Sequence, residues 1–295
     1  MRRRFVTLDV FTDRRFAGNP LAVVLEPEGL DNAAMQAIAR EFNLSETVFV
    51  LPPAESRHRA RLRIFTPSNE LPFAGHPTVG TAVLLGAIGD AAEACDIVLE
   101  EGIGPVRCRV EPLGSGCGFA RFDLPKLAQE VGAAAASGLI ATALGLEPDD
   151  IGFDGYVPAK WSAGNEFTFI PVRGRDAIQR SRPNLDRWEA AFGNDIGAFV
   201  FCAEPVEAKN AFHARMFAPR LGIREDPATG SAVAALAGMV ARRLGDGEHE
   251  FGIEQGYEMG RPSLITLTIQ IRAGALVAGS VGGRAVMVSE GTIEA

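Results

Sequence analysis

Glu46, His76 and Asp226 are the residues whose types and settings point to proton chemistry. Glu46 stands in Asn43-Leu44-Ser45-Glu46-Thr47, just ahead of the apolar run Thr47 to Leu51. A carboxyl group at the mouth of an apolar strand is desolvated, which raises its pKa toward the range useful for moving protons at neutral pH. His76 and Asp226 each precede a proline that opens an apolar segment, Pro77 to Ile88 and Pro227 to Val240. Proline is favoured at the first helical position, so both residues mark helix N-termini, with Asp226 expected as an N-cap. Free N–H groups and the helix dipole favour a bound anion there, and the small pairs Gly80/Thr81 and Gly230/Ser231 permit its close approach. A substrate carboxylate is the natural guest. Local sequence alone leaves plainer roles open: an exposed residue before a strand for Glu46, a polar residue before Pro for His76, a simple cap for Asp226.

The remaining motifs carry less chemistry. Gly114-Ser115-Gly116-Cys117-Gly118 spells G-x-G-x-G, but a strand and not a helix follows, so it reads as a turn and not a nucleotide loop. Gln255-Gly256-Tyr257-Glu258-Met259-Gly260-Arg261-Pro262 is a glycine-spaced turn whose Arg261 either pairs with a carboxylate or caps a loop. No G-x-S-x-G supports serine hydrolase chemistry. Cys95, Cys108, Cys117 and Cys202 form no C-x-x-C pair and share no ligand spacing with the four histidines, so no metal is expected.

The elements that must place these side chains are written twice. Ala17-Gly18-Asn19 matches Ala163-Gly164-Asn165, and Val48-Phe49-Val50 matches Phe199-Val200-Phe201. Arg63-Ile64-Phe65-Thr66-Pro67 matches Arg215-Met216-Phe217-Ala218-Pro219, and His76-Pro77-Thr78-Val79-Gly80-Thr81-Ala82-Val83 matches Asp226-Pro227-Ala228-Thr229-Gly230-Ser231-Ala232-Val233. Four collinear matches, offset by about 150 positions, are the mark of an internal duplication into two similar domains, since solenoid repeats are far shorter. We expect a first domain over 1–130, an Ala/Gly-rich connector over 131–146 and a second domain over 147–295, with a last strand around Arg284 to Val288 placed to return to the first domain. Each half alternates short β-branched and aromatic strands with an all-round apolar helix, which predicts an α+β fold of strands wrapped around a central helix. Asp31 to Phe42 is different: Met35, Ile38, Ala39 and Phe42 follow helical spacing behind a possible Asp31 cap, which predicts an amphipathic surface helix.

Composition narrows the partners. The chain has 295 residues with a formal net charge of -8, so the overall field opposes nucleic acid, and none is expected as partner. The longest uncharged stretch, Val131 to Leu146, is too short to span a bilayer, and no membrane association is expected. Asp9, Asp13, Arg14 and Arg15 interrupt any apolar export segment behind Arg2-Arg3-Arg4, so the start is read as a strand and the cytoplasm as the expected compartment.

With these residues in view the sequence resembles the phenazine-biosynthesis PhzF-like isomerases of the diaminopimelate-epimerase-like superfamily. The resemblance runs over nearly the whole chain. It is carried by Asp9-Val10-Phe11, Phe16-Ala17-Gly18-Asn19-Pro20, Asn43 to Thr47, Phe73-Ala74-Gly75-His76-Pro77-Thr78-Val79-Gly80, Glu225 to Ala232 and Gln255-Gly256 to Arg261-Pro262-Ser263. It implies two barrel-like, hot-dog-like domains, each around a central helix, with the site in the cleft between them, and a homodimer. It further implies isomerisation of a small carboxylate substrate, similar to trans-2,3-dihydro-3-hydroxyanthranilate, without a cofactor. By the same carry-over Glu46 is the proton shuttle, His76 and Asp226 hold polar groups and assist proton movement, and Gly75, Gly230, Ser231 and Asn19 line the substrate. Related epimerases of the superfamily use two cysteines at the helix starts; those positions here are not Cys, which disfavours a two-thiol racemase. A one-centre epimerase and a non-catalytic carboxylate-binding protein stand as the alternatives.

Overall fold

The computed structural model describes residues 1–88, 93–114 and 116–295, so Ser115 of the G-x-G-x-G turn lies outside the described residues. The chain divides into two compact units: Met1–Asp123 with Val281–Ala295, and Leu124–Ser280. The first contains β1 (Arg2–Val10), β2 (Asn19–Leu25), α1 (Asn32–Phe42), β3 (Glu46–Leu51), β4 (Ala60–Phe65), β5 (Glu70–Leu71), α2 (Gly75–Ile88), β6 (Cys95–Glu101), β7 (Gly104–Gly114) and β8 (Cys117–Asp123). The second contains β9 (Gln129–Ala133), α3 (Ser137–Leu144), β10 (Ala159–Ser162), β11 (Glu166–Pro171), α4 (Arg175–Arg180), α5 (Leu185–Phe192), β12 (Ala198–Cys202), β13 (Phe212–Ala218), β14 (Ile223–Asp226), α6 (Gly230–Ala241), β15 (Gly247–Gln255) and β16 (Ser263–Arg272). β17 (Ala275–Glu294) begins in the second unit and ends in the first, where its last ten residues pair antiparallel with β1.

In the first unit α2 is buried from Gly75 to Gly86 and touches β1, β2, β3, β6, β7 and β8. A helix with no polar face has no other stable place than inside a wrap of strands. Glycine permits close approach here: a Cβ on Gly80 would come within 2.7 Å of both Leu21 Cδ2 and Val10 Cγ2. Gly80→Ala is therefore expected to destabilise by about 1–3 kcal/mol through overpacking, read as a lower urea midpoint; an unchanged midpoint would show that β1 and β2 can move aside. α1, by contrast, lies on the surface with Met35 and Ala39 turned inward, and Asp31 caps it by accepting from the Ala34 N–H at 2.8 Å.

The second unit repeats the plan around α6, which touches β9, β10, β11 and β16. β1 to β7 and β10 to β16 follow one pairing scheme. Each begins antiparallel (β1–β2, β10–β11), then parallel (β2–β3, β11–β12), and continues through an antiparallel pair and a short strand to a second parallel pair (β4–β6, β13–β15). Side chains repeat with the strands. Glu100 accepts from the N–H groups of Ala54 and Glu55 at 2.8 and 2.9 Å and meets His58 Nδ1 at 2.8 Å. Glu254 accepts from Val206 and Glu207 N–H at 2.6 and 2.8 Å and from Asn210 Nδ2 at 2.7 Å. Arg63 forks onto Glu70 and lies over Phe65, as Arg215 forks onto Glu225 and lies over Phe217. The Glu100 and Glu254 bonds lie outside the matched segments and engage different types, His58 and Asn210, so they support the duplication independently of the matched letters.

Residues 131–146, expected as a connector, hold the end of β9 and all of α3 within the second unit. Ile140, Ala141, Ala143 and Leu144 fall at helical spacing and pack with Ile170, Trp188, Phe192 and Val200, so apolar periodicity outweighs the loop-like Ala/Gly content. The helix starts also differ from expectation. α2 begins at Gly75, two residues before its proline, and α6 at Gly230, three residues after its own. Asp226 is thus not the N-cap of α6 but the last residue of β14, where it pairs with Met216. Thr229 occupies the cap position, its N–H donating to Gln255 Oε1 at 3.0 Å, and Gln255 Nε2 donates at 2.7 Å to Asp226 O, the carbonyl that an Asp226 cap would give to the Gly230 N–H.

Candidate active site

Three chain starts meet around His76. Parallel pairing of β2 with β3 sets Leu21 beside Glu46, so both strands begin at the same end of the unit, and His76 is the second residue of α2. Glu46 is the first residue of β3, inside the strand and not ahead of it as the sequence suggested. Its Oε2 lies 3.4 Å from His76 Nδ1, and the two side chains are 12 % and 5 % exposed. Asn19, fully buried, opens β2 opposite Val10, and the next residue, Pro20, gives its carbonyl to the His76 ring. Gly75, also buried, starts the helix one residue before.

Burial decides the charge of His76. It pushes the ring down to about 3 despite the Pro20 carbonyl, so the imidazole is neutral at ordinary pH. The contact with Glu46 then joins a carboxyl group to an uncharged ring: it positions Glu46 without tying it into an ion pair. His76 Nε2 is buried and has no hydrogen-bond partner among the described residues. The His76 ring resonances are expected to show no inflection between pH 5 and 7 in an NMR titration; a midpoint near the ordinary 6.5 would mean a solvated ring. The sign for stability follows. Between pH 6.5 and 3 the unfolded chain takes up a proton that the native ring refuses, so this site loses about 1.4 kcal/mol per pH unit as pH falls through that window.

In the second unit, Asp226 is half-buried at the end of β14, and its Oδ2 accepts from Thr229 Oγ1 at 2.6 Å. Gly230 and Ser231 follow directly as the first residues of α6, Gly230 buried and Ser231 half-buried. The expected residues therefore fall into two groups: Asn19, Glu46, Gly75 and His76 in the first unit, Asp226, Gly230 and Ser231 in the second. Within its turn the Arg261 N–H donates to Gly256 O at 2.9 Å. Among the described residues no cluster of three or more His, Cys, Asp or Glu is arranged to hold a metal ion, and no helix is long and apolar enough to cross a membrane.

Sequence reasoning missed the side chains beneath the helix starts. Gln255 is fully buried and donates from Nε2 to Asp226 O at 2.7 Å and to Thr229 Oγ1 at 3.0 Å. Glu101, also buried, lies 2.7 Å from Thr78 Oγ1. Their shared place after Glu100 and Glu254 was visible in the chain, but only once the strands are aligned.

Comparison with known proteins bears on the same elements. The model of the phenazine biosynthesis-like protein family, PhzC-PhzF, matches residues 8–291. An uncharacterized isomerase of Mesorhizobium japonicum is 48% identical over 301 residues, covering 99% of this chain and 98% of its own. The trans-2,3-dihydro-3-hydroxyanthranilate isomerase of Pseudomonas fluorescens is 36% identical over 293 residues, with 98% of each chain covered. Among solved structures, a PhzF-family phenazine biosynthesis protein of Bacillus anthracis superposes with a TM-score of 0.89 at 27% identity over 100% of both chains.

Proposed function

Since the chain belongs to the phenazine biosynthesis-like PhzC-PhzF family and is an isomerase of that type, we propose that it moves a proton between carbons of a small cyclic or unsaturated amino or hydroxy acid, with Glu46 as the acid and base. The observation that carries this is the nearly buried Glu46–His76 pair at the joint start of β2, β3 and α2. A shuttle needs one carboxyl group that takes a proton from one carbon and returns it to another before water exchanges it, and the 12 % exposure of Glu46 supports that shielding. His76, neutral and held by the Pro20 carbonyl, offers Nε2 to a polar group of the substrate. Family resemblance extends substrate-holding roles to Asn19, Gly75, Asp226, Gly230 and Ser231, and a carboxylate suits the N–H groups at a helix start.

Proton NMR in D2O of the purified protein with trans-2,3-dihydro-3-hydroxyanthranilate, beside a panel of small amino and hydroxy acids, tests this directly. Relocation of a ring hydrogen is the expected result. Exchange on another acid alone would keep the shuttle and move the substrate elsewhere, and silence across the panel with folded protein would overturn the proposal.

A further inference from the structure

Each half fastens the start of its buried helix from the same point in the strand pattern. β6 ends on Glu100-Glu101 and β15 on Glu254-Gln255. Successive strand residues face opposite ways. Glu100 and Glu254 reach the loops already described, which leaves Glu101 and Gln255 for the helices. Gln255 donates to Thr229 Oγ1, and Thr229 in turn donates to the Asp226 carboxylate. The order is forced, because Gln255 Nε2 has only donors and Asp226 Oδ2 accepts. In the first half Thr78 Oγ1 stands 2.8 Å from Ala74 O and 2.7 Å from Glu101 Oε1.

A threonine hydroxyl has one hydrogen, so it cannot donate both to Ala74 O and to an ionised Glu101. A proton on Glu101 resolves this: Glu101 donates to Thr78, and Thr78 donates to Ala74 O, next to Gly75 and His76. The other carboxyl oxygen, Oε2, is buried without a hydrogen-bond partner among the described residues, a setting that suits a neutral acid and penalises an anion. We propose that Glu101 and Gln255 are equivalent positioning residues, one in each half, that hold the α2 start bearing His76 and the β14–α6 turn bearing Asp226 by donating a hydrogen bond to a threonine, Glu101 doing so as a neutral carboxylic acid.

Electrostatics agree with the geometry. Burial pushes Glu101 up to about 8, against the Thr78 contact. Glu101 acts in turn on the Cys108 thiol of β7, which burial pushes up first and then Glu101 and Asp123, at the end of β8, push further. Between pH 4.5 and 8 the native protein keeps a proton that the unfolded chain releases, so stability at this site falls as pH rises through that window. Above pH 8 an ionised Glu101 only accepts, so Thr78 turns its one hydrogen to Glu101 and the hydroxyl bond to Ala74 O, next to Gly75 and His76, is lost.

The effect on turnover rests on the isomerase proposal above; the effect on the His76 ring does not. The test compares wild type, Glu101→Gln, Glu101→Leu and Gln255→Leu by NMR of His76 and by the pH profile of kcat. In wild type the His76 resonances are expected to shift as pH passes 8, and Glu101→Gln, which keeps a donor but cannot ionise, to abolish that shift together with any fall of kcat centred there. Glu101→Leu and Gln255→Leu are expected to lower kcat about 10²-fold, the effect of misplacing a site group by about 1 Å. An unshifted His76 ring across pH 8 in wild type, or the same shift persisting in Glu101→Gln, overturns the proposal. So does wild-type kcat in both leucine variants. Absence of turnover in wild type on every acid would overturn the isomerase proposal while the ring resonances still judge the fastener.

Discussion

Glu46→Gln is expected to lower kcat by about 10²- to 10⁴-fold, the usual share of a general acid and base in a proton transfer. The amide matches the carboxyl group in size, so β3 still begins beside Leu21 and the neutral His76 ring keeps a polar neighbour. Substrate binding, measured by calorimetry or ligand NMR, should therefore change little while hydrogen relocation in D2O stops. Retained turnover would remove Glu46 as the shuttle. Lost binding in a folded variant would make it a substrate-holding group instead.

Glu254→Ala should be the most destabilising single change outside the site. Glu254 is fully buried and accepts four times: from Val206 N–H, Glu207 N–H, Asn210 Nδ2 and His213 Nδ1, the last at 3.0 Å. His213 is equally buried, and its Nε2 lies 2.9 Å from Glu258 Oε1. Burial opposes charge on this ring, but the two carboxylates outweigh it and raise His213 to about 9. Removing Glu254 takes from the buried His213 one of its two carboxylates and leaves three donors unpaired, a loss of about 3–5 kcal/mol, to be read from urea unfolding. The pH sign is that of a raised histidine: its stabilisation is complete below about 6.5 and lost as pH rises through 9. Wild-type stability should fall across that window and the variant's much less. A variant of wild-type stability would mean that water replaces the carboxylate.

Much of this architecture is visible in the residues themselves. The matched segments around Phe49 and Phe199, or His76 and Asp226, reveal the duplication, and the uniformly apolar Pro77 to Ile88 reveals a buried helix, because both depend on patterns local to the chain. The Asp31 cap follows from a preference strong enough to act within one turn. Asp226 shows where such preferences stop. An Asp before Pro is a natural cap, yet Gln255, 29 positions away, occupies the Asp226 carbonyl that would accept the first helical bond, and the helix starts past it. Glu101 was invisible for a related reason: a Glu at the end of a strand is ordinarily exposed, and only the placement of Thr78 beside it shows that the carboxyl group is buried against the start of α2. Long-range hydrogen bonding, which spacing cannot report, set both.

β17 also orders events during synthesis. Its last residues supply the neighbour of β1 all the way from Arg2 to Val10, but they leave the ribosome only after the whole of Leu124–Ser280 has been made. At typical translation rates that interval is on the order of 10 s. During it β1 presents an unpaired edge to the cell, the kind of surface on which nascent chains aggregate. The contiguous second unit meets no such delay, so the half of the molecule that is translated later is the one free to finish folding first.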